Sequence, residues 1–521
     1  MRQSNAYRLA ARRRGTPCLI AGARSAARVA GGLRSPCLGL AFVAIVLAAG
    51  TARSEMFQVG LNFTGTTLTD ETVTHGTCFI PPDTMGAVGP NHIVELINGD
   101  YAVYAKSTGN LIGSRITLDL FWQNALDNGP GGTVDDSFDP RVVYDHASAR
   151  WFATAVDDFK GSNSSILLGV SDSSDPTAGW VGFRLDADSA NTRWADFPTL
   201  GVDADGVYVS ANMFDRPGSP FLNTDASVFS FPKADLLLSV PTVANRTEFQ
   251  VAGINTLGFA VQPALDFGSS DGRAAMLARP NIEGLNNTLK RTDILNAAGT
   301  ASLSATTSIP VSFYDAPPQA HQPGPDDNIR TTDHRFGSNV FEQGDSLWAV
   351  HAFRDSSSGN VRTALRWYEI DETNNTVLQF GDIADDDLDL YYPSIAANPD
   401  GHVVIGFSGS SDTQFISSYA VAAATDGGVT TFGDISLLKA GVASYKKLDT
   451  SNRNRWGDYS ATVLDPVDPL HFWTFQEYVF STNVWGIQVT EIILPEPGTL
   501  AMLAFGGLAL CRRRRRRIVN S

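Results

Sequence analysis

Residues 139–145 read Asp139-Pro-Arg-Val-Val-Tyr-Asp145, and variants of this phrase return along the whole chain. Each copy opens on a polar residue, passes through Pro or Gly, and runs into a short apolar strand. The copies are Thr84-Met-Gly-Ala-Val88, Asp139-Pro-Arg-Val-Val-Tyr144, Asp196-Phe-Pro-Thr-Leu-Gly-Val202, Gln262-Pro-Ala-Leu265, Asp333-His-Arg-Phe-Gly337, Tyr392-Pro-Ser-Ile-Ala396 and Arg455-Trp-Gly-Asp-Tyr-Ser-Ala461. Their starts lie 55, 57, 66, 71, 59 and 63 residues apart. A period of this length is that of a repeated supersecondary unit.

Between the openings the pattern is that of short strands. His92–Ile97, Ala102–Tyr104, Val142–Tyr144, Trp151–Val156, Ile166–Val170, Val207–Ser210 and Leu347–Val350 are β-branched, aromatic or alternating runs. Turn clusters such as Asp203-Ala-Asp-Gly206 and Asn398-Pro-Asp-Gly401 separate them. The best helix candidate, Leu118–Leu126, is short and sits in a connection. The reading is all-β: a single β-propeller of about seven blades over residues 83–494. The alternative, two β-sandwich domains, needs a linker, and the nearest candidate is the Pro-rich stretch Asp315–Asp327.

The two ends read as addresses. Residues 1–36 hold eight arginines and no acidic residue, and the apolar stretch Cys37–Gly50 follows. Gly50-Thr51-Ala52 then offers the small residues of a cleavage site, so residues 1–54 are expected to be a signal peptide with a long basic leader. Residues 55–82 are an N-terminal extension. At the other end stand Pro495-Glu496-Pro497, the apolar run Gly498–Cys511 and six arginines, Arg512–Arg517. The run is shorter than the roughly 17–25 residues of an ordinary spanning helix, and the arginines would hold that end cytoplasmic.

Residues 495–521 thus resemble the PEP-CTERM sorting signal of exosortase substrates. The resemblance implies sorting by exosortase-type machinery at Pro495, Glu496 and Pro497, removal of the hydrophobic sorting helix, and membrane contact through that segment alone. The expected location is the cell envelope, surface or extracellular space, with the chain held transiently in the inner membrane.

Residues 1–54 and 495–521 carry 15 of the 39 basic residues and one of the 55 acidic ones. The 440 residues between keep 24 basic and 54 acidic groups, a net charge of −30. Such a surface repels nucleic acid and anionic lipid and suits an extracellular protein or a cation binder. Of the four cysteines only Cys78 lies in this part, so an internal disulfide is excluded and a hydrophobic core must supply stability.

Ser173-Ser-Asp-Pro-Thr-Ala-Gly-Trp180 resembles the Asp-box of sialidase-type propellers, with Thr177 and Gly179 interchanged relative to that pattern. The Asp-box is a turn between outer strands, so the likeness bears on fold and not on activity. The phrases at 139–145, 196–203 and 455–459 are also similar to those of uncharacterised secreted bacterial propellers.

No His-Glu-X-X-His, Gly-X-Ser-X-Gly, phosphate loop or Cys/His cluster occurs. One constellation remains, at the starts of the repeated strands: Arg141, Arg335 and Arg455 with Asp139, Asp196, Asp333 and Asp458. Three guanidiniums around one mouth can clamp the carboxylates of an acidic polysaccharide. The sialidase resemblance implies the same, because that family uses an arginine triad with an Asp acid/base and a Tyr–Glu nucleophile. The structural alternative is that these charges tie neighbouring blades together. Asp203 and Asp205, with the acidic loop Asp382–Asp389, are candidate Ca²⁺ ligands, though no full Ca²⁺-loop pattern is present.

Two functions stay open. The first is a non-catalytic surface or matrix protein associated with exopolysaccharide. The second is a secreted sialidase-like hydrolase or lyase with its site at the propeller mouth.

Overall fold

The computed structural model describes residues 7–8, 56–217, 224–251, 253–280, 284–324, 328–357 and 359–496. Except for residues 7–8, the expected signal peptide lies outside them, as do Pro497 and the sorting helix with its arginines. Among the described residues no helix is long and apolar enough to cross a membrane. The described residues are all-β, with 53 % of them in strands and 6 % in helices.

Among the described residues the longer strands fall into seven antiparallel meanders, each with one of the opening phrases in or just before its first strand. The first is Gly86–Val88, His92–Ile97 and Asp100–Ala105. The second is Phe138–Asp145, Arg150–Asp157, Ser165–Ser171 and Trp180–Asp186. The third is Arg193–Val202, Gly206–Asp215, Thr224–Pro232 and Thr247–Val251. The fourth is Phe259–Asp266, Arg273–Arg279, Asn286–Leu295 and Thr307–Tyr314. The fifth is Val340–Gln343, Ser346–Asp355, Arg362–Asp371 and Thr376–Ile383. The sixth is Asp389–Ala397, His402–Ser410, Ser417–Asp426 and Val429–Phe432. The seventh is Ala461–Leu464, His471–Ser481 and Val484–Ile493, and its fourth strand is Gln58–Thr67 from the other end of the chain. The stretch 55–82, read from sequence as an extension, therefore supplies a strand to the last sheet.

The first strand of each meander contacts the first strand of the next, and the seventh contacts the first. In the third, fourth and fifth meanders these strands also pair in parallel, Val202 with Leu265 and 264–266 with 340–342.

The opening phrase has a physical cause. The register slips within four of the first strands, between Phe138 and Arg141, Asp196 and Thr199, Phe259 and Gln262, and Tyr391 and Ser394. At each slip a non-glycine residue takes a positive φ: Asp139 (53°), Phe197 (53°), Ala260 (53°) and Tyr392 (51°). These are β-bulges, each carrying the roughly 1–2 kcal/mol strain of a left-handed L-residue. Pro140, Pro198 and Pro393 follow at once, where the interrupted ladder does not require an N–H. The bulge re-aims the next side chains, which is how Arg141 leaves the sheet face and enters the interior.

The one sequence-read helix forms as Leu118–Asp127, capped by the Thr117 hydroxyl, which accepts from the Leu120 N–H at 3.1 Å. Leu118, Phe121, Trp122, Ala125 and Leu126 make its buried stripe, packed on Trp180–Asp186. Gly182 is required there, because a Cβ would meet the Ala125 carbonyl carbon at 2.9 Å. The Asp-box-like stretch is a turn between the third and fourth strands of its meander. Asp175 Oδ1 accepts from the Thr177 N–H at 2.9 Å, and the Trp180 indole donates to Pro176 O at 2.9 Å. The Pro-rich stretch 315–327 is bonded to later segments in its described part, the His321 N–H donating to Asp389 Oδ2 at 2.9 Å. Gln322 Nε2 donates to Tyr445 O at 2.8 Å, and Ala320 bridges to Ile329.

Candidate functional site

The bulges and the loops preceding the fifth and seventh first strands bring Arg141, Arg335 and Arg455 into one connected cluster. Arg141 Nε donates to Pro198 O at 3.0 Å and its Nη1 to Gly337 O at 2.9 Å, so one side chain joins three segments of the ring. Its guanidinium lies 3.5 Å from the Tyr459 ring centre and 5.0 Å from that of Phe197. Arg335 lies 4.6 Å from the same Phe197 ring and grips Asp333 with two bonds, 3.0 and 2.8 Å. Arg455 donates to Asp458 at 2.9 Å. The Asp458 N–H in turn donates to Asp83 Oδ1 at 2.8 Å.

The acidic members interlock in the same place. Asn98 is the hub: its amide donates to Asp83 Oδ2 at 2.8 Å and its carbonyl accepts the Asp139 N–H at 2.7 Å. Asp139 Oδ2 accepts the Phe197 N–H at 3.1 Å. Asp196 is buried next to this point and acts electrostatically on Arg335. The sequence did not single out Asp83, Arg279, His334, Tyr459 or Glu477, yet all belong to the cluster. Arg279 lies 3.0 Å from Asp333 Oδ2 and donates to His334 Nδ1 at 2.8 Å. Asp83 was within reach of sequence reasoning, since it stands at the polar start of its repeat as Asp139 does, and both take a positive φ.

Burial governs the electrostatics. Arg141 and Arg455 are 1 % exposed and Arg335 is 6 % exposed. Burial pushes Asp139 up to about 6, with Asp458 adding repulsion. Asp83 is raised well above the usual carboxylate range by burial, then by Asp458 and Asp139. For Asp333 burial also acts upward, but Arg279 and Arg335 outweigh it and hold the carboxyl far below its ordinary value. Burial and the nearby Arg279 charge lower His334 to about 4. Some donors stay unpaired among the described residues: Arg141 Nη2, Arg335 Nη1, and Arg455 Nε and Nη1.

The candidate calcium pair is placed differently. Asp203 Oδ1 accepts the Asp205 and Gly206 N–H groups at 2.7 Å each, and Oδ2 accepts the Tyr208 hydroxyl at 2.7 Å. Asp205 accepts from Ser270 at 2.5 Å. The Asp203 oxygens close the turn between two strands. Among the described residues no three His, Cys, Asp or Glu side chains are grouped as a metal site.

No family model matches the chain, and no curated protein matches it. Matching solved structures include Trypanosoma rangeli sialidase in complex with sialic acid, at 10 % identity and a TM-score of 0.35 over 80 % of this chain and 60 % of that one. The parainfluenza virus 5 hemagglutinin-neuraminidase ectodomain matches at 9 % identity and TM-score 0.36, over 73 % and 84 %. Drosophila Semaphorin 1b, extracellular domains 1–2, matches at 7 % identity and TM-score 0.36, over 84 % and 87 %. The chain spans 54–60 % of the Trypanosoma rangeli sialidase chains at the head of these matches.

Proposed function

We propose that the chain is an exported cell-surface or matrix protein, a seven-bladed β-propeller that binds exopolysaccharide without chemistry. In this reading the seven meanders are the blades and Gln58–Thr67 closes the last one. Residues 1–54 direct export, and exosortase-type machinery acts at Pro495, Glu496 and Pro497. The observation that supports it is the state of the charge cluster. Arg141, Arg335 and Arg455 are buried, the first two lie over aromatic rings, and the three are joined to carboxylates and backbone carbonyls. Charges so placed hold the ring together, since removing one partner of a buried pair is strongly destabilising. Glycan recognition then falls to the surface loops. The Asp203–Gly206 turn is assigned to geometry, because a Ca²⁺ ion would have to displace three hydrogen bonds from Asp203.

A glycan array and a panel of chromogenic glycosides, applied to the purified protein, test this reading. Binding without product release is expected. Turnover that disappears in Asp139→Asn would overturn it and favour the second reading, a sialidase-like hydrolase or lyase acting at the mouth. That reading has its own support. Buried N–H groups of Arg141, Arg335 and Arg455 lack a partner, the Arg141 charge acts on Asp139 and the Arg455 charge on Asp83, and a carboxyl near 6 suits a general acid. An acidic polysaccharide is the substrate class those donors would take.

A further inference from the structure

The N-terminal ends of the first strands hold the arginine cluster, and their C-terminal ends surround a cavity of about 330 Å³. Val88, Val143, Leu265, Phe341, Ala397 and Val463 line it, one from each of six meanders. Its walls are therefore largely apolar. Aromatic rings form one continuous side: His146 lies 5.4 Å from Phe267, and Phe267 lies 6.4 Å from Phe341, centre to centre. Exposed His146, Pro399 and Val467 stand at the rim, so the cavity opens to solvent.

Two buried acids are set into this wall, Glu342 at 7 % and Asp465 at 4 % exposed. The Glu342 carboxyl donates to Glu372, whose Oε1 accepts from Arg291 Nη2 at 2.7 Å. Arg291 is shared between Glu372, at 2.7 Å, and Asp293, at 2.8 Å, and does not pair with Glu342. Asp266, Asp271 and Asp293 add negative potential around the pair. Across the cavity Asp465 is already engaged, by Lys106 at 2.7 Å and the Trp473 indole at 2.9 Å. An anion entering past the His146 ring at the rim would meet two carboxyls, with the nearby Lys106 already bound to Asp465. A cation would meet aromatic faces and an unbalanced carboxyl, the combination that recognises organic ammonium groups.

We propose that this cavity binds a small organic cation, an ammonium group on an apolar body, seated against the Phe267–Phe341 wall with its charge at Glu342. As the cation enters, Glu342 releases its proton to solvent, so the charge of the site is unchanged. Burial, followed by the Glu372 charge, pushes Glu342 up to about 10, so the proton is present at neutral pH until a ligand displaces it. The site lies at the other end of the strands from the arginine cluster and does not depend on the proposed glycan function.

Benzyltrimethylammonium is the probe, because its charge is permanent and it brings no proton of its own. Titration calorimetry on the purified protein in phosphate and in Tris counts the protons released. About one proton per cation is expected, with affinity rising about tenfold per pH unit between 6.5 and 8.5. Benzyl alcohol, of similar shape but neutral, should bind at least about tenfold more weakly. Glu342→Gln keeps an N–H to donate to Glu372, so the fold should survive while binding weakens about tenfold and proton release vanishes. Phe267→Ala should weaken binding and leave proton release per bound cation unchanged. Absence of binding at millimolar probe, or equal binding by Glu342→Gln or by benzyl alcohol, overturns the proposal.

Discussion

Asp333→Asn is the sharpest probe of the arginine cluster. The substitution keeps shape and removes one charge. Asp333 accepts two bonds from Arg335, at 3.0 and 2.8 Å, and lies 3.0 Å from Arg279 Nη2. Both guanidiniums are buried, so the change strands positive charge where water cannot reach it. Breaking such a pair removes about 3–5 kcal/mol. An unfolding entropy of about 2.1 cal/mol/K per residue gives roughly 0.9 kcal/mol/K for a ring of this size. The melting temperature should therefore fall by roughly 3–6 °C in differential scanning calorimetry. Asp412→Asn serves as control: its carboxylate is 69 % exposed and 4.0 Å from Arg362, and it should shift the melt by no more than about 1 °C. If Asp333→Asn melts with the wild type while binding of an acidic glycan collapses, the cluster is a ligand clamp and the tie argument fails.

Stability should fall as pH rises from 6.5 to 8.5. Burial raises Glu95 to about 7 and Glu342 to about 10, and lifts Glu71, Asp83 and Glu477 well above the carboxylate range. The folded chain keeps protons that the unfolded chain has already lost, so unfolding releases them and higher pH favours it, by up to about 1.4 kcal/mol per group and pH unit. The buried His334 and His351, lowered to about 4 and 3, exert their opposite effect below this window. A melting temperature that climbs across the window contradicts the burial of these acids. Deleting residues 56–67 unpairs the edge Val484–Ile493 and should lower the melt by at least roughly 5 °C and promote association on size-exclusion chromatography. A truncated chain that behaves like the full one removes the closure claim. Intact mass of the exported protein should place its end near Pro495, and Arg512–Arg517 still attached would discard the processing step.

What the sequence made legible was what the backbone demands locally. Pro140, Pro198 and Pro393 mark bulges because a proline fits only where the ladder is broken, and the repeat is visible for that reason. Leu118–Asp127 shows because its buried stripe recurs at helical spacing. Partners distant in sequence left no comparable mark. Val59, Leu61 and Phe63 alternate as a strand should, but nothing local says that the partner is Val484–Ile493, some 430 residues on. Glu342 lies on one strand and Glu372 in the turn that follows Arg362–Asp371, and they meet only once the fifth sheet forms. The arginines were located by their place in the phrase. Their burial was not, because Arg and Asp are ordinarily surface residues and only the fold reveals which are enclosed.

The account rests on a propeller that holds glycan and leaves it intact. The direct measurement is to incubate the purified protein with acidic exopolysaccharide and record, in one sample, the fraction bound and the reducing or unsaturated ends released. The prediction is saturable binding with no new ends over the buffer control. Ends that accumulate with time, and cease when Asp139 is changed to Asn, would contradict it.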